Sequence, residues 1–156
     1  MVRMSKNLVF PYAMTRTIGR HCVCLRIQRA SRTVGRRFDE ALRPVGLNNW
    51  QFTMLVILNR PSPLTVNGLA EALGMDRTTT TKNLKPLERR GLLEIRQDEK
   101  DARVRRIVLT ASGHGVLAEA VPYWQAANDV VAASLEGETP QGSYLGRLFL
   151  NRLAAG

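Results

Sequence analysis

At 156 residues, 44% hydrophobic and with a formal charge of +10, the chain has enough apolar residues for one packed domain with a helical extension and is not disordered by composition. No apolar run of about 18 residues marks a membrane span, and the N-terminus lacks a small-residue cleavage site, so a soluble, cytoplasmic protein is expected. The basic excess suits a polyanionic partner and is uneven: net +8 over residues 1–43, 0 over 44–75, +4 over 76–106 and −2 over 107–156.

In chain order, residues 1–15 read as a flexible arm, with Met4 and Met14 as alternative starts. One long helix is expected over 16–42: Val23, Ile27, Ala30, Val34, Phe38 and Ala41 step along one face, and Arg29, Arg32 and Arg36 lie roughly opposite. Pro44 and Gly46 end it. Asn49 is the expected cap of a helix over 50–59, which is apolar nearly all round (Trp50, Phe52, Met54, Leu55, Val56, Ile57, Leu58) and so reads as central and buried. Thr65 caps a short helix with Val66, Leu69, Ala70 and Leu73 on one face, and Gly74 ends it with a left-handed turn.

The stretch from Asp76 to Gly91 is the centre of the reading. Asp76 stands where an N-cap belongs and Gly91 where a left-handed terminator belongs. Between them Thr80, Leu84 and Leu87 form a narrow apolar stripe, while Thr78, Thr81, Lys82, Lys85 and Arg89 share a face on which every side chain is a donor or a cation. Two helices joined by a short glycine-containing turn, the second cationic and hydroxyl-rich, form the pattern of a helix-turn-helix whose second helix enters the major groove. The alternative on this pattern alone is a helical hairpin with a solvated basic face. Pro86 removes a backbone donor and should bend the second half of the helix, which affects how Arg89 and Arg90 are presented.

Leu93 to Arg96 and Arg106 to Leu109 alternate in the manner of two paired strands, and a charged loop from Gln97 to Val104 joins them. A helix-turn-helix followed by such a hairpin is a winged helix. Thr110 then caps a helix to about Leu135, with Leu117, Ala120, Val121, Trp124, Ala127, Val131 and Leu135 on one face and a kink or break expected at Pro122. Thr139 and Pro140 start a last helix carrying Tyr144, Leu145, Leu148 and Phe149. The fold class is therefore mainly α with a small β-wing. The DNA-binding domain spans 48–110, and helices over 16–47 and 111–156 form a dimerisation region, because their apolar stripes need a second copy of the chain to cover them.

The order of elements, with FDEALRPVGL, WQFTMLVIL, LTVNGLAEALGMDRTTTTKNLKPLERRGLLEI and the wing DEKDARVRRIVLTASG, resembles the MarR family of winged-helix transcription regulators over roughly residues 20–125. Asp101-Ala102-Arg103, Leu109-Thr110 and Gly113 are the most diagnostic pieces. The resemblance implies a homodimer that binds a pseudo-palindromic DNA operator and represses nearby genes. It places Arg77, Thr78, Thr79, Thr81 and Lys82 at base edges and the helix N-terminus, Lys85 and Arg89 at phosphates, and Arg103 in the minor groove with Asp101 holding its guanidinium. Arg105 and Lys100 are further wing candidates.

Regulation has two readings. In the first, a small aromatic or anionic effector sits between the dimerisation helices and the DNA-binding lobe, lined by Arg20, His21, Phe38 and Trp50. In the second, Cys24, with Cys22 beside it, senses peroxide: some of the family use a thiolate near this position, and Arg20, Arg26 and Arg29 would favour a thiolate here. This chain has Phe38 and Asn49 where that branch has tyrosines. The bland alternative makes Cys24 a small buried hydrophobe. A Cys22–Cys24 disulfide is disfavoured in an unbroken helix, since residues two apart point to nearly opposite sides. No enzyme is expected: His21 and His114 are isolated, and the sequence has no Gly-rich phosphate loop, no Cys/His metal spacing and no nucleophile with a plausible base, leaving a thiol peroxidase on Cys24 as the one catalytic version with a residue to name. An architectural DNA-binding protein without effector is the remaining rival.

Overall fold

The computed structural model describes residues 9–135. The predicted helix with Tyr144, Leu145, Leu148 and Phe149 lies outside them. The chain divides into two units, one ending at Gly35 and the other beginning at Arg36.

In the first unit, α1 (Tyr12–His21) follows directly on Pro11, so helix begins within the stretch read as an arm. The predicted long helix is broken at Cys22, whose backbone is extended (φ −66°, ψ 107°), and α2 (Val23–Leu42) starts after it and runs on into the second unit. The sulfur explains why a break is tolerated without Pro or Gly. The first amides of a helix have no partner within it, and Cys22 Sγ accepts one of them, from Leu25, at 3.5 Å, while the Cys22 carbonyl accepts the Arg26 amide at 3.1 Å. Phe10, Tyr12, Met14, Ile18 and Val23 are exposed in the single chain.

The second unit continues through a short 3-10 turn (Arg43–Val45) to α3 (Asn49–Leu58). Its cap is Asn48 rather than Asn49: the Asn48 side chain accepts the Gln51 amide at 2.8 Å, and Gln51 reaches back to the Asn48 amide at 3.1 Å. Asn49 is inside the helix and donates its amide to Asp39 at 2.8 Å. Burial of α3 is not all-round: Phe52, Met54, Leu55 and Leu58 are buried, whereas Trp50 and Val56 are 47% and 46% exposed.

Strand β1 (Leu64–Thr65), α4 (Val66–Leu73), α5 (Arg77–Arg89), β2 (Leu93–Gln97), β3 (Arg105–Leu109) and α6 (Ala111–Leu135) follow. The predicted caps form, with Thr65 accepting the Gly68 amide at 3.0 Å and Gly74 left-handed at φ 61°. The sheet has the order β1-β3-β2, all antiparallel, with Leu64 and Ile95 both opposite Ile107. The third strand, β1, was not expected from sequence. The core gathers Leu42, Met54, Leu55, Leu69, Leu84, Leu87, Leu93 and Ile107, all fully buried, each contributing about 1.5–3 kcal/mol relative to exposure.

Thr110 caps α6 by accepting the Gly113 amide at 3.1 Å, and its hydroxyl donates to the Gly91 carbonyl at 2.6 Å. The helix runs through Pro122 without a break. Leu117 and Ala120 are buried and Trp124 stacks on Phe52 at 6.3 Å between ring centroids, but Val121, read as part of the same stripe, is exposed.

Candidate nucleic-acid interface

Helix α5 is seated by one face and open on the other. Thr80, Leu84 and Leu87 are buried, as their spacing requires, so Arg77, Thr78, Thr81, Lys82, Lys85 and Arg89 are turned outward and exposed. Its first turn is tightly organised. Asp76 accepts the Thr79 amide at 2.8 Å and the Thr79 hydroxyl at 2.7 Å, and its backbone carbonyl takes the Thr80 hydroxyl at 2.9 Å. The Thr79 amide above all, then its hydroxyl, holds the Asp76 carboxyl below its ordinary value of 3.8. These bonds sort the threonines. Thr79 is exposed but its proton is committed to the cap, Thr81 donates to the Arg77 carbonyl at 2.8 Å, and Thr78 keeps its hydroxyl uncommitted among the described residues.

The helix continues through Pro86. Arg89 makes one long bond, Nε to the Lys85 carbonyl at 3.4 Å, and stays on the outer face. Arg90 is different: its guanidinium donates to the Gly46 carbonyl, tying the end of α5 to the turn that follows α2.

The wing loop between β2 and β3 is closed by the Asp98 amide bonding the Val104 carbonyl at 2.9 Å. Asp101 does not hold the Arg103 guanidinium; its carboxylate accepts the Arg103 backbone amide at 2.9 Å, so the Asp-x-Arg spacing builds the turn rather than an ion pair. Lys100, Arg103 and Arg105 are exposed. The ion pair that spans the loop is instead that of Asp98 with Arg106, and sequence reading missed it because the partners are separated by the whole loop. Arg106 first, then the Lys100 amide, lowers the Asp98 carboxyl below its ordinary 3.8.

The residues read as an effector pocket lie in different settings. Arg20 and His21 sit on α1 beside Tyr12, Arg16 and Thr17, and the His21 ring bonds the Thr17 carbonyl at 2.9 Å. Phe38 packs against the core, and Trp50 is half-exposed on α3. None of the four lines the apolar cavity of about 560 Å³ between α3 and α6, which is bounded by Phe52, Val56, Leu117, Ala118, Val121 and Trp124, with Thr53, Asn59 and His114 as its polar groups. Cys22 is partly buried, whereas Cys24 is exposed and accepts from Gln28 Nε2 at 3.4 Å, so Cys24 is not a core residue here. The geometric objection to a Cys22–Cys24 bond assumed an unbroken helix and does not hold at the break. Among the described residues no group of His, Cys, Asp and Glu could hold a metal, and no helix is long and apolar enough to cross a membrane.

A two-helix unit with one face of its second helix buried and a basic, hydroxyl-bearing face outward, followed by a basic hairpin, defines a winged helix-turn-helix DNA-binding protein. A family model described as MarR family matches residues 45–104. A solved structure of the M. tuberculosis transcriptional regulator MosR in complex with DNA is 38% identical, covers 86% of this chain and 95% of that one, and superposes with a TM-score of 0.74. The transcriptional repressor MprA of Escherichia coli is 31% identical over 77% of this chain and 66% of its own length. The organic hydroperoxide resistance transcriptional regulator of Bacillus subtilis is 30% identical over 58% of this chain and 62% of its own. The chain belongs to the MarR family of DNA-binding transcription regulators.

Proposed function

We propose that the chain is a cytoplasmic homodimeric repressor that recognises a pseudo-palindromic operator and is released by a small molecule. The observation that carries DNA reading is the outward face of α5, where Arg77, Thr78, Lys82 and Lys85 are exposed while Thr80, Leu84 and Leu87 anchor the helix. Arg77, Thr78, Thr81 and Lys82 supply base-edge contacts near the N-terminus of α5, Lys85 and Arg89 supply phosphate contacts, and Arg103 with Arg105 enters the minor groove. Thr79 and Asp101 hold the cap and the wing turn. The apolar residues exposed on α1 and α6 (Tyr12, Ile18, Val121, Val130) are what a second copy would cover.

Selection from a pool of random duplexes at physiological salt tests this. A palindromic motif with half-sites about one helical turn apart is the expected result. Retention of DNA without any motif would instead mean an architectural role, with affinity carried by phosphates alone. On the selected duplex, Arg103→Ala is expected to weaken binding by about 1–3 kcal/mol with the dimer intact by sedimentation; unchanged affinity would remove the wing from the interface.

The effector reading is supported by the cavity between α3 and α6, which is large enough for a small aromatic compound. Among the described residues its lining is apolar apart from Thr53, Asn59 and His114, which favours a neutral ligand over an anion. A thermal-shift screen in which neutral aromatic compounds never stabilise the protein would sink this version.

A second reading is favoured by Cys24, whose thiol is exposed two residues beyond Cys22, the α1–α2 junction residue whose sulfur caps α2. In it, the Cys24 thiolate attacks an organic hydroperoxide, taking one oxygen to become sulfenic acid while the alcohol leaves. Cys24→Ser is then expected to abolish peroxide-dependent loss of DNA binding in a mobility-shift assay. Loss that persists in the variant rules out Cys24 as the sensor.

A further inference from the structure

The wing carries a bonded network beyond its DNA-facing cations. One Asp98 carboxylate oxygen accepts the backbone amides of Lys100 at 2.9 Å and Asp101 at 3.1 Å, and the other accepts Nε of Arg106. Arg106 spends a second donor on the Pro63 carbonyl at 2.9 Å. Pro63 immediately precedes β1, and β1 leads without a gap into α4. A continuous path therefore runs from the wing loop, through one carboxylate and one guanidinium, to the base of the helix-turn-helix.

The pair is better sheltered than its neighbour on the sheet. The Asp98 side chain is 16% exposed, against 44% for Glu94, which pairs with Arg96. Exposed pairs contribute little because water screens them and both side chains lose freedom. A sheltered carboxylate with three donors is directional, and a charge-assisted guanidinium bond adds geometric specificity. Arg103, by contrast, has only its backbone amide bonded among the described residues, to Asp101, and its side chain is exposed. Among the described residues the loop aims it and no side-chain partner does.

We propose that Asp98 is a positioning residue: acting through Arg106 and the two loop amides, it fixes the wing against the helix-turn-helix and so determines where Arg103 meets DNA. The last step rests on the reading of Arg103 as a groove contact, whereas the clamp itself does not.

The test has two arms on the full chain. In the free protein, hydrogen exchange over residues 97–106 is compared between wild type, Asp98→Asn and Arg106→Met, with far-UV circular dichroism to verify the fold. Faster exchange confined to the wing in both variants is expected; unchanged wing exchange in either folded variant overturns the clamp. If Asp98→Asn fails to fold, Arg106→Met decides alone. In the second arm, affinities for the duplex recovered by selection are measured for wild type, Asp98→Asn, Arg103→Ala and the double variant. Each single change is expected to weaken binding about tenfold, and the double variant to bind no more weakly than about Arg103→Ala alone, because the first acts through the second. Losses that simply multiply mean that Asp98 works by another route, which overturns the positioning role. A wild type that selects no motif defeats the regulator reading instead, and the exchange arm still decides the clamp.

Discussion

Gly113→Ala is expected to cost about 3 kcal/mol of stability, the scale of a small-to-large change where the surroundings cannot relax. A Cβ placed on Gly113 would lie 1.9 Å from the Leu92 carbonyl oxygen and 3.0 Å from its carbon, both backbone atoms. That carbonyl is already held, since it accepts the Thr110 amide at 3.2 Å, and Thr110 in turn bonds Gly91 and the Gly113 amide. The start of α6 therefore leans directly on the chain leaving α5, and only a residue without a side chain permits the approach. In thermal melts at equal protein concentration the variant should lose roughly 6–12 °C. Gly115→Ala is the control: among the described residues nothing lies within 4 Å of its would-be Cβ, so the change should be neutral or stabilising by up to about 1 kcal/mol. Equal melting of the Gly113 variant and wild type would contradict the packing of α6 on Leu92.

Leu84→Ala should have the second large effect, about 2–5 kcal/mol, as a buried leucine is replaced by a cavity. Leu84 is 1% exposed and is flanked along the same stripe by Thr80 and Leu87, both fully buried. Its neighbour Lys85 points the other way and is exposed. Lys85→Ala should therefore leave stability within about 0.5 kcal/mol while weakening DNA binding and lowering the salt slope by about 1. Adjacent residues thus separate folding from recognition, with chemical denaturation reading one and salt-dependent binding the other. If Lys85→Ala destabilised the fold as much as Leu84→Ala, the assignment of the two faces of α5 would be wrong.

What was legible in the sequence follows from the range of the interactions involved. Asp76, Thr65 and Thr110 were readable as caps because each bonds an amide three residues on, and Gly74 and Gly91 because a left-handed residue at a helix end favours glycine. The buried stripe of α5 was readable because helical periodicity encodes it locally. Strand β1 was not, since two residues carry no alternation and their partners, Ile107 and Arg106, lie far along the chain. The break at Cys22 was hidden because the apolar periodicity of α2 begins at Val23 and the residue that caps it is not one of the usual caps. In the site, the exposed cations of α5 followed from its periodicity. The role of Asp101 did not, because proximity in sequence to Arg103 suggested an ion pair where the turn uses the carboxylate for a backbone amide. The α3–α6 cavity was equally out of reach, being formed by helices separated by the whole winged hairpin.

Strand β1 is two residues long, yet it pairs with β3 on the side away from β2. The hairpin thereby shares its ladder with the segment that enters α4, and α4 turns directly into α5. Helix and hairpin are thus joined through the sheet as well as along the chain. On the dimeric reading proposed above, grip on DNA would be set by the spacing and tilt of two such pieces, like the jaws of a calliper whose teeth stay fixed while the gap between them is set.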